Sequence, residues 1–388
     1  MQKTILIFDF LSHPNMHLPF NEGYIKSMRT AFPDDEIIFA ATAEHVTNIQ
    51  AYIEPKYNII LENINNFDQL LGDKSYHNPF YGLPAAKKCW KALQKLTNNR
   101  QIRHVCLLGA NGALIHSFSK RWKDNQSSSI HYIQHNQLST SMKWRSKNPI
   151  YKYFDYLSVV SRGLPKNQKL VLLELGLDNE IIKLAPKIES SLVTIEHPVQ
   201  EREWLPIKEL EDNKPINIGF VGNCGVGKGF DRFLRLAKKF AGDKYQFYAI
   251  GKNNTKLENG LTLDCLKVKP SNGHLPRDQF VKLLSEIDIV CLPLPKTISY
   301  VSSGSIIDAF AASKPLIIST NQSVRAIQEK YGEYGIVYST DNELNNLLNN
   351  LTHEQLKQLF VNWHTNIQKI KENRSEQGVA TQLRANIE

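Results

Sequence analysis

The chain has 388 residues, 41% hydrophobic and 22% charged, with a formal net charge of +9. That balance excludes a disordered or fibrous chain, and no apolar run reaches the roughly 18–20 residues a helix needs to cross a bilayer. The five cysteines (Cys89, Cys106, Cys224, Cys265 and Cys291) never fall in C-x-x-C, which argues against a disulfide framework or zinc site and fits a reducing compartment.

"KTILIFDF" at 3–10 predicts a first strand rather than a signal peptide, because Asp9 interrupts the apolar run and no small-residue cleavage site follows. A loop and a helix near 22–31 come next. "EIIFAAT" at 36–42, "RHVCLLGA" at 103–110, "SSIHYIQH" at 128–135, "YLSVVS" at 156–161 and "EIIKLAP" at 180–186 predict further strands. Helical patterns between them imply a parallel sheet with right-handed crossovers. The charged stretch "EREWLPIKELEDNKPI" at 201–216, with two prolines, reads as a linker. The pattern then restarts with "INIGFVG" at 216–222, "YQFYAIG" at 245–251, "LTLDCLKV" at 261–268, "IDIVCLPL" at 287–294 and "KPLIIST" at 314–320. From about 351 onward the chain is polar and helical. The expected architecture is α/β: two doubly wound domains, 1–205 and 206–365, and a helical tail, 366–388, that packs back on the first. Ligands are expected at the C-terminal ends of the strands, in a cleft between the domains.

"VGNCGVGKGFDRF" at 221–233 holds most of a G-x-x-x-x-G-K-[ST] phosphate loop: Gly222, Gly227 and Lys228. Gly229 stands where a magnesium-holding Ser or Thr belongs, a complete domain precedes the loop, and "IDIVCLPL" has its Asp at the wrong end for a metal ligand. The ATPase reading fails on those three points. A glycine-rich turn that opens a helix still presents free N–H groups and the positive dipole end, and Lys228 adds a full charge. The plainer alternative is a tight strand–helix turn whose glycines serve packing. Farther on, Ser302-Ser303-Gly304-Ser305 enters another helix with Asp308 one turn inside. Backbone N–H groups of such a loop cradle phosphate, and a carboxylate so placed accepts from a ribose diol. Alone, the same residues read as a serine N-cap with a Ser305–Asp308 capping box. With Lys228 in the same domain, they read as half of a nucleotide-diphosphate site.

Over about residues 216–320 these motifs resemble the donor-binding domain of the GT-B glycosyltransferases, the retaining family 4 type in particular. Gly222-Asn223, four residues, then Lys228-Gly229 is similar in spacing to the family's G-R, four residues, K-G. The stretch from Gly273-His274 resembles its strand-G-x-[IV]. Tyr300, Asp308-Ala309 and Ser313-Lys314-Pro315-Leu316-Ile317 fit the register of its E-x-F-G-x-x-x-x-E-A and G-x-P-V-I. The resemblance implies a GT-B fold of two Rossmann-like domains. It implies transfer of a sugar from a nucleotide-diphosphate donor (a UDP- or GDP-sugar) to a glycan or lipid-linked glycan, in surface polysaccharide biosynthesis and with retention. No cofactor beyond the donor is expected. No D-x-D triplet occurs, which favours a metal-independent reaction.

The donor-site positions so implied are Gly222, Asn223, Lys228, His274, Tyr300, Ser303, Gly304, Ser305 and Asp308. Three depart from the family pattern: Asn223 stands for its diphosphate-binding Arg, Tyr300 for its sugar-contacting Glu, and Asp308 for its ribose-holding Glu. Diphosphate and ribose binding are thus implied and sugar recognition is altered. A nucleotide-sugar epimerase of the same fold and a non-catalytic partner subunit of a polysaccharide assembly complex are the rivals.

In the first domain, "HYIQHNQ" ends a strand at His135-Asn136. The resemblance implies that His135 faces the transferred sugar and shares the catalytic role with Lys228. A loop-end histidine satisfied by backbone is the alternative, and the mid-strand His131 is a second choice. His13, Asn21, Glu22 and Gly23 lie where the family's first loop approaches donor and acceptor, although Asn21 also suits a plain N-cap. "SMKWRSKNPIYKYFDY" at 141–156 and "AAKKCWKALQK" at 85–95 mix cations with aromatics, a cast that suits peripheral contact with an anionic membrane or an ordinary solvated face. No RNP, zinc-finger or helix-turn-helix pattern occurs, so nucleic acid is not an expected partner. The expected location is cytoplasmic, peripheral on the inner face of the plasma membrane.

Overall fold

The computed structural model describes residues 2–9, 17–64, 78–122, 128–135, 137–143, 146–254, 260–273, 275–295 and 303–387. The chain forms two compact units. Unit 1 runs to Pro198 and resumes at Arg374; unit 2 takes the chain from Val199 to Asn373.

Among the described residues, unit 1 has strands β1 (Lys3–Asp9), β2 (Glu36–Ala41), β3 (Ile59–Asn63), β4 (Gln101–Leu108), β5 (Ser129–Gln134), β6 (Gln168–Leu172) and β7 (Leu192–Thr194), in the spatial order β3-β2-β1-β4-β5-β6-β7. Every pairing is parallel. Parallel strands covered on both faces need apolar residues at consecutive positions, and β1 is buried throughout after Lys3. Alternate residues feed two cores. Leu6, Phe8, Ile38 and Val105 face one side, with helices Pro79–Thr97 and Gly112–Arg121. Ile5, Ile7, Ile37 and Phe39 face the other, with helices Leu18–Ala31 and Glu376–Ile387. Strand order reverses at β1 and β4, the kind of switch point where doubly wound sheets open a crevice.

The last helix enters unit 1 from the far end of the sequence. Val379, Ala380, Leu383 and Ile387 join the core beside Tyr24 and Met28. The Tyr57 hydroxyl donates to Glu376 Oε2 at 2.7 Å, and the Glu196 amide donates to Gln382 Oε1 at 2.8 Å. Arg374, fully buried where the chain returns, donates from Nε to Glu196 Oε2 at 3.0 Å and from Nη1 to Glu174 Oε2 at 3.4 Å.

Unit 2 has strands β8 (Ile216–Val221), β9 (Tyr245–Ile250), β10 (Ile289–Leu292), β11 (Leu316–Ser319) and β12 (Gly335–Tyr338), again parallel, in the order β12-β11-β10-β8-β9. Helix Phe230–Phe240 lays Phe230, Phe233, Leu234 and Ala237, three and four positions apart on one helical face, on this sheet. Among the described residues no helix is long and apolar enough to cross a membrane.

Three predicted strands take other forms. Residues 156–161 hold helix Tyr156–Val160, because Asp155 caps it by accepting from the Leu157 amide at 3.2 Å. Residues 180–186 fall largely in helix Leu177–Leu184, which starts at a left-handed Gly176 (φ 76°) and has Asp178 and Glu180 in its first turn. Residues 261–268 turn at Asp264 and pair with β9 through an isolated bridge, Val268 with Tyr248, not as a strand. β3, β6, β7 and β12 went unpredicted.

Candidate functional site

In unit 2, β8 is followed at once by Gly222, whose φ of +99° admits little but glycine. A Cβ there would lie 2.6 Å from Ser305 Oγ. The turn after the first strand therefore touches the start of helix Gly304–Ala311. One 3₁₀ turn, Val226–Lys228, follows, and Gly229 (φ 81°) opens helix Phe230–Phe240. A Cβ on Gly229 would fall 1.9 Å from the Pro293 carbonyl oxygen. Packing thus demands this glycine, so the residue that displaces the phosphate-loop Ser or Thr is fixed by the fold. Asn223 is exposed, and its side chain makes no hydrogen bond among the described residues.

Lys228 is half-buried. Burial lowers its amine below the usual value and the field of Asp308 pulls it back up, so cation and carboxylate share one neighbourhood. Ser303 is the N-cap of helix Gly304–Ala311 yet makes no capping bond; its buried Oγ has no hydrogen-bond partner among the described residues. A Cβ at Gly304 would meet nothing within 4 Å. A helix end with open space at Gly304, a hydroxyl uncommitted among the described residues and a neighbouring lysine is suited to an anion.

Asp308 is not free. Arg277 Nη2 donates to its Oδ1 at 2.7 Å, and the same guanidinium donates from Nε to Glu203 Oε1 at 3.0 Å and from Nη2 to Glu203 Oε2. Burial would lower the Arg277 pKa, but Asp308 and Glu203 hold it above the usual value. Burial raises the Asp308 carboxyl, and Arg277 opposes that shift. Asp308 Oδ2 has no bond among the described residues, leaving one oxygen for a ligand. Sequence reading missed Arg277 and Glu203. The available signal was Arg277 at the first position of helix Arg277–Glu286, where the dipole disfavours a cation unless carboxylates hold it.

The described geometry brings Gly222, Lys228, Ser305 and Asp308 into one cluster and sets Ser303 and Gly304 at its helix end. His274 and Tyr300 lie outside the described residues, as does His13.

Unit 1 ends its strands in rings. The His135 ring stacks on His17 at 4.2 Å between centroids, meets Phe20 edge-on at 4.4 Å and lies 6.5 Å from His197. Burial drives its pKa well below 6.5, with His17 and His197 adding to the shift, so the imidazole is neutral at pH 7. Its Nε2 is buried with no hydrogen-bond partner among the described residues. His197 donates from Nδ1 to the Pro198 carbonyl at 2.9 Å and is pushed down to about 3 by burial. Next to these, Asn21 Nδ2 donates to Asp9 Oδ2 at 2.7 Å and to His45 Nε2 at 2.8 Å. Asn21 is therefore no N-cap: helix Leu18–Ala31 begins before it, and Asn21, Glu22 and Gly23 are all buried within it. The second-choice His131 is buried on β5, with Nε2 2.6 Å from Ser129 Oγ.

No protein-family model matches the chain, and no curated protein matches its sequence. Solved structures do match its shape. HepE of Anabaena, in complex with UDP and glucose, superposes with a TM-score of 0.64 at 12% identity over 98% of each chain. The fold is GT-B. A glycosyltransferase of Rickettsia africae matches with a TM-score of 0.59 at 13% identity, covering 98% of this chain and 96% of its own. The lipopolysaccharide outer core galactosyltransferase WaaB matches with a TM-score of 0.57 at 13% identity over 98% of each chain. The GT-B architecture expected from the motifs, two parallel Rossmann-like sheets, is thus the one this chain adopts.

Proposed function

We propose that the protein is a glycosyltransferase that moves a hexosyl or related sugar from a nucleotide diphosphate to a glycan or lipid-linked glycan in surface polysaccharide biosynthesis, with retention and without a metal. One observation carries the reading: on a GT-B fold, Lys228 shares a neighbourhood with Asp308, near the helix end at Gly304 and a Ser303 hydroxyl with no partner among the described residues. The acceptor oxygen bonds to the anomeric carbon as the bond from that carbon to the diphosphate breaks. The electron pair leaves with the diphosphate, which also receives the acceptor's proton. Lys228 and the N–H groups at Gly304 and Ser305 stabilise the negative charge that develops there, with Asn223 and Gly222 lining the turn. Asp308 Oδ2 accepts from the ribose. His274 and Tyr300 complete the proposed donor site. In unit 1, His135 offers the sugar a neutral hydrogen-bonding imidazole, since its lowered pKa removes the charged form. The five free cysteines, four of them buried, suit a cytoplasmic enzyme.

HepE binds UDP and UDP-glucose, so UDP heads the panel to be measured by calorimetry, with GDP, CDP and ADP, with and without magnesium. Metal-independent binding of one diphosphate is expected, weakened at least roughly tenfold in Lys228→Ala. Turnover of the matching sugar nucleotide with an acceptor then separates a transferase from an epimerase. If no nucleotide binds, the reading fails in favour of a non-catalytic subunit.

A further inference from the structure

Helix Pro149–Phe154 has the sequence PIYKYF and buries none of its residues. Ile150 is 50% exposed and Tyr153 48%. Phe80 and Tyr81, in the first turn of helix Pro79–Thr97, are 65% and 56% exposed. The two helices pack together, and the Phe80 ring meets Tyr151 edge-on at 6.2 Å between centroids. Four large apolar side chains thus stand out from adjoining elements of unit 1, where the hydrophobic effect would ordinarily cover them.

Among the described residues of the adjoining helices the charge is one-signed. Helix Pro79–Thr97 carries Lys87, Lys88, Lys91 and Lys95 and no acid, and its exposed face runs Tyr81, Pro84, Lys88, Lys91, Lys95. Helix Gly112–Arg121 adds Lys120 and Arg121, again with no acid, and residues 146–154 add Lys147 and Lys152. The Arg162 guanidinium lies 4.2 Å over the Tyr153 ring and donates to the Tyr153 carbonyl at 3.0 Å. The next acid, Asp155, is occupied in accepting from Ser141 Oγ at 2.5 Å and from the Leu157 amide. His116, against Tyr153 and Phe154, reports the field: burial, then Lys120, Arg162 and Arg121, push it down to about 4.

We infer that this face docks on an anionic lipid bilayer, with Phe80, Tyr81, Ile150 and Tyr153 entering the headgroup boundary and the lysines meeting lipid phosphates. Protruding apolar groups ringed by cations gain from both terms only at such a surface. A second copy of the chain would oppose cation with cation. A nucleic acid would reward the charge but leave Ile150 and Phe80 exposed. Trp144 and Arg145, in the same basic stretch, lie outside the described residues. The inference stands independently of the transferase reading.

The test is co-sedimentation of the full chain with phosphatidylcholine vesicles, with and without phosphatidylglycerol, at low and high salt. Binding is expected only to the anionic vesicles and should fall with salt. Lys88→Glu/Lys91→Glu and, separately, Phe80→Ser/Ile150→Ser should each weaken it at least roughly tenfold, with circular dichroism unchanged. The inference is overturned if anionic vesicles do not retain the protein, or if the folded Phe80→Ser/Ile150→Ser variant binds as wild type. It is also overturned if single-stranded RNA binds the chain more tightly than the vesicles and displaces them.

Discussion

The two units finish their strands with opposite chemistry. Unit 1 gathers imidazoles and phenyl rings, His17, Phe20, His135 and His197, and burial holds His135 and His197 neutral. Unit 2 gathers full charges, the half-buried Lys228, Arg277 and Asp308 and the buried Glu203. Both are parallel sheets opened at a switch point, so the difference lies in the side chains alone. Neutral hydrogen-bonding rings suit hydroxyl-rich molecules, whereas paired charges beside a helix end suit a diphosphate. Unit 1 does contain a buried charged group, Arg374 between Glu174 and Glu196, but it sits at a chain crossing and is sealed from solvent. In the proposed reading the sealed Arg374, Glu174 and Glu196 hold the fold, while the half-buried Lys228 and Asp308 meet the ligand.

That separation predicts a sharp asymmetry. Arg374→Met removes the guanidinium from between two buried carboxylates and should cost about 3–5 kcal/mol in urea unfolding. Nucleotide affinity of the remaining folded protein should stay as it was; a loss there would break the comparison.

Acid should find unit 1 first. An unfolded imidazole takes its proton near pH ~6.5, whereas folded His131 and His197 do so only at about 3 and His104 at about 4. Between those values the unfolded chain binds more protons, so stability is flat above roughly pH 6.5 and falls as pH drops below it. A loss of at least about 2 kcal/mol by pH ~4.5 is expected. Hydrogen exchange at mildly acid pH should then release β1, β4 and β5 before β8 and β10. The reverse order would show that the ion pairs of unit 2, not the imidazoles of unit 1, set acid sensitivity.

The smallest effect sharpens the unit 2 side. Asp308→Asn keeps shape and one acceptor while removing the charge that holds Arg277 and, in the proposed site, a ribose hydroxyl. The preference for a ribonucleoside over a 2′-deoxyribonucleoside diphosphate should shrink by roughly fivefold to tenfold in calorimetry. An unchanged preference would remove Asp308 from ribose recognition.

Much of this was legible in sequence. Runs such as "TILIF" and "INIGFV" are apolar at consecutive positions because both faces of a parallel strand are covered, and they mark β1 and β8. Gly222 and Gly229 were legible as a turn, although only the approaches of Ser305 and Pro293 show why neither tolerates a side chain. The stretch at 156–161 misled because its β-branched residues favour a strand while Asp155 caps a helix. Short strands such as β7, with three residues, hold too little pattern to detect. The Glu203–Arg277–Asp308 chain was invisible because its first pair spans 74 positions and no local spacing encodes it.

The return of helix Glu376–Ile387 to unit 1 has a consequence for how the chain is made. A ribosome delivers residues in order, so the first unit waits for its last helix until all of the second has been synthesised. Until then the apolar faces of Tyr24 and Met28 that Val379 and Leu383 cover stand open on the nascent chain, a surface for chaperones. Completion of the first unit thus waits on synthesis of the whole second unit, and a chain that stops short of helix Glu376–Ile387 leaves its earliest-made half unfinished.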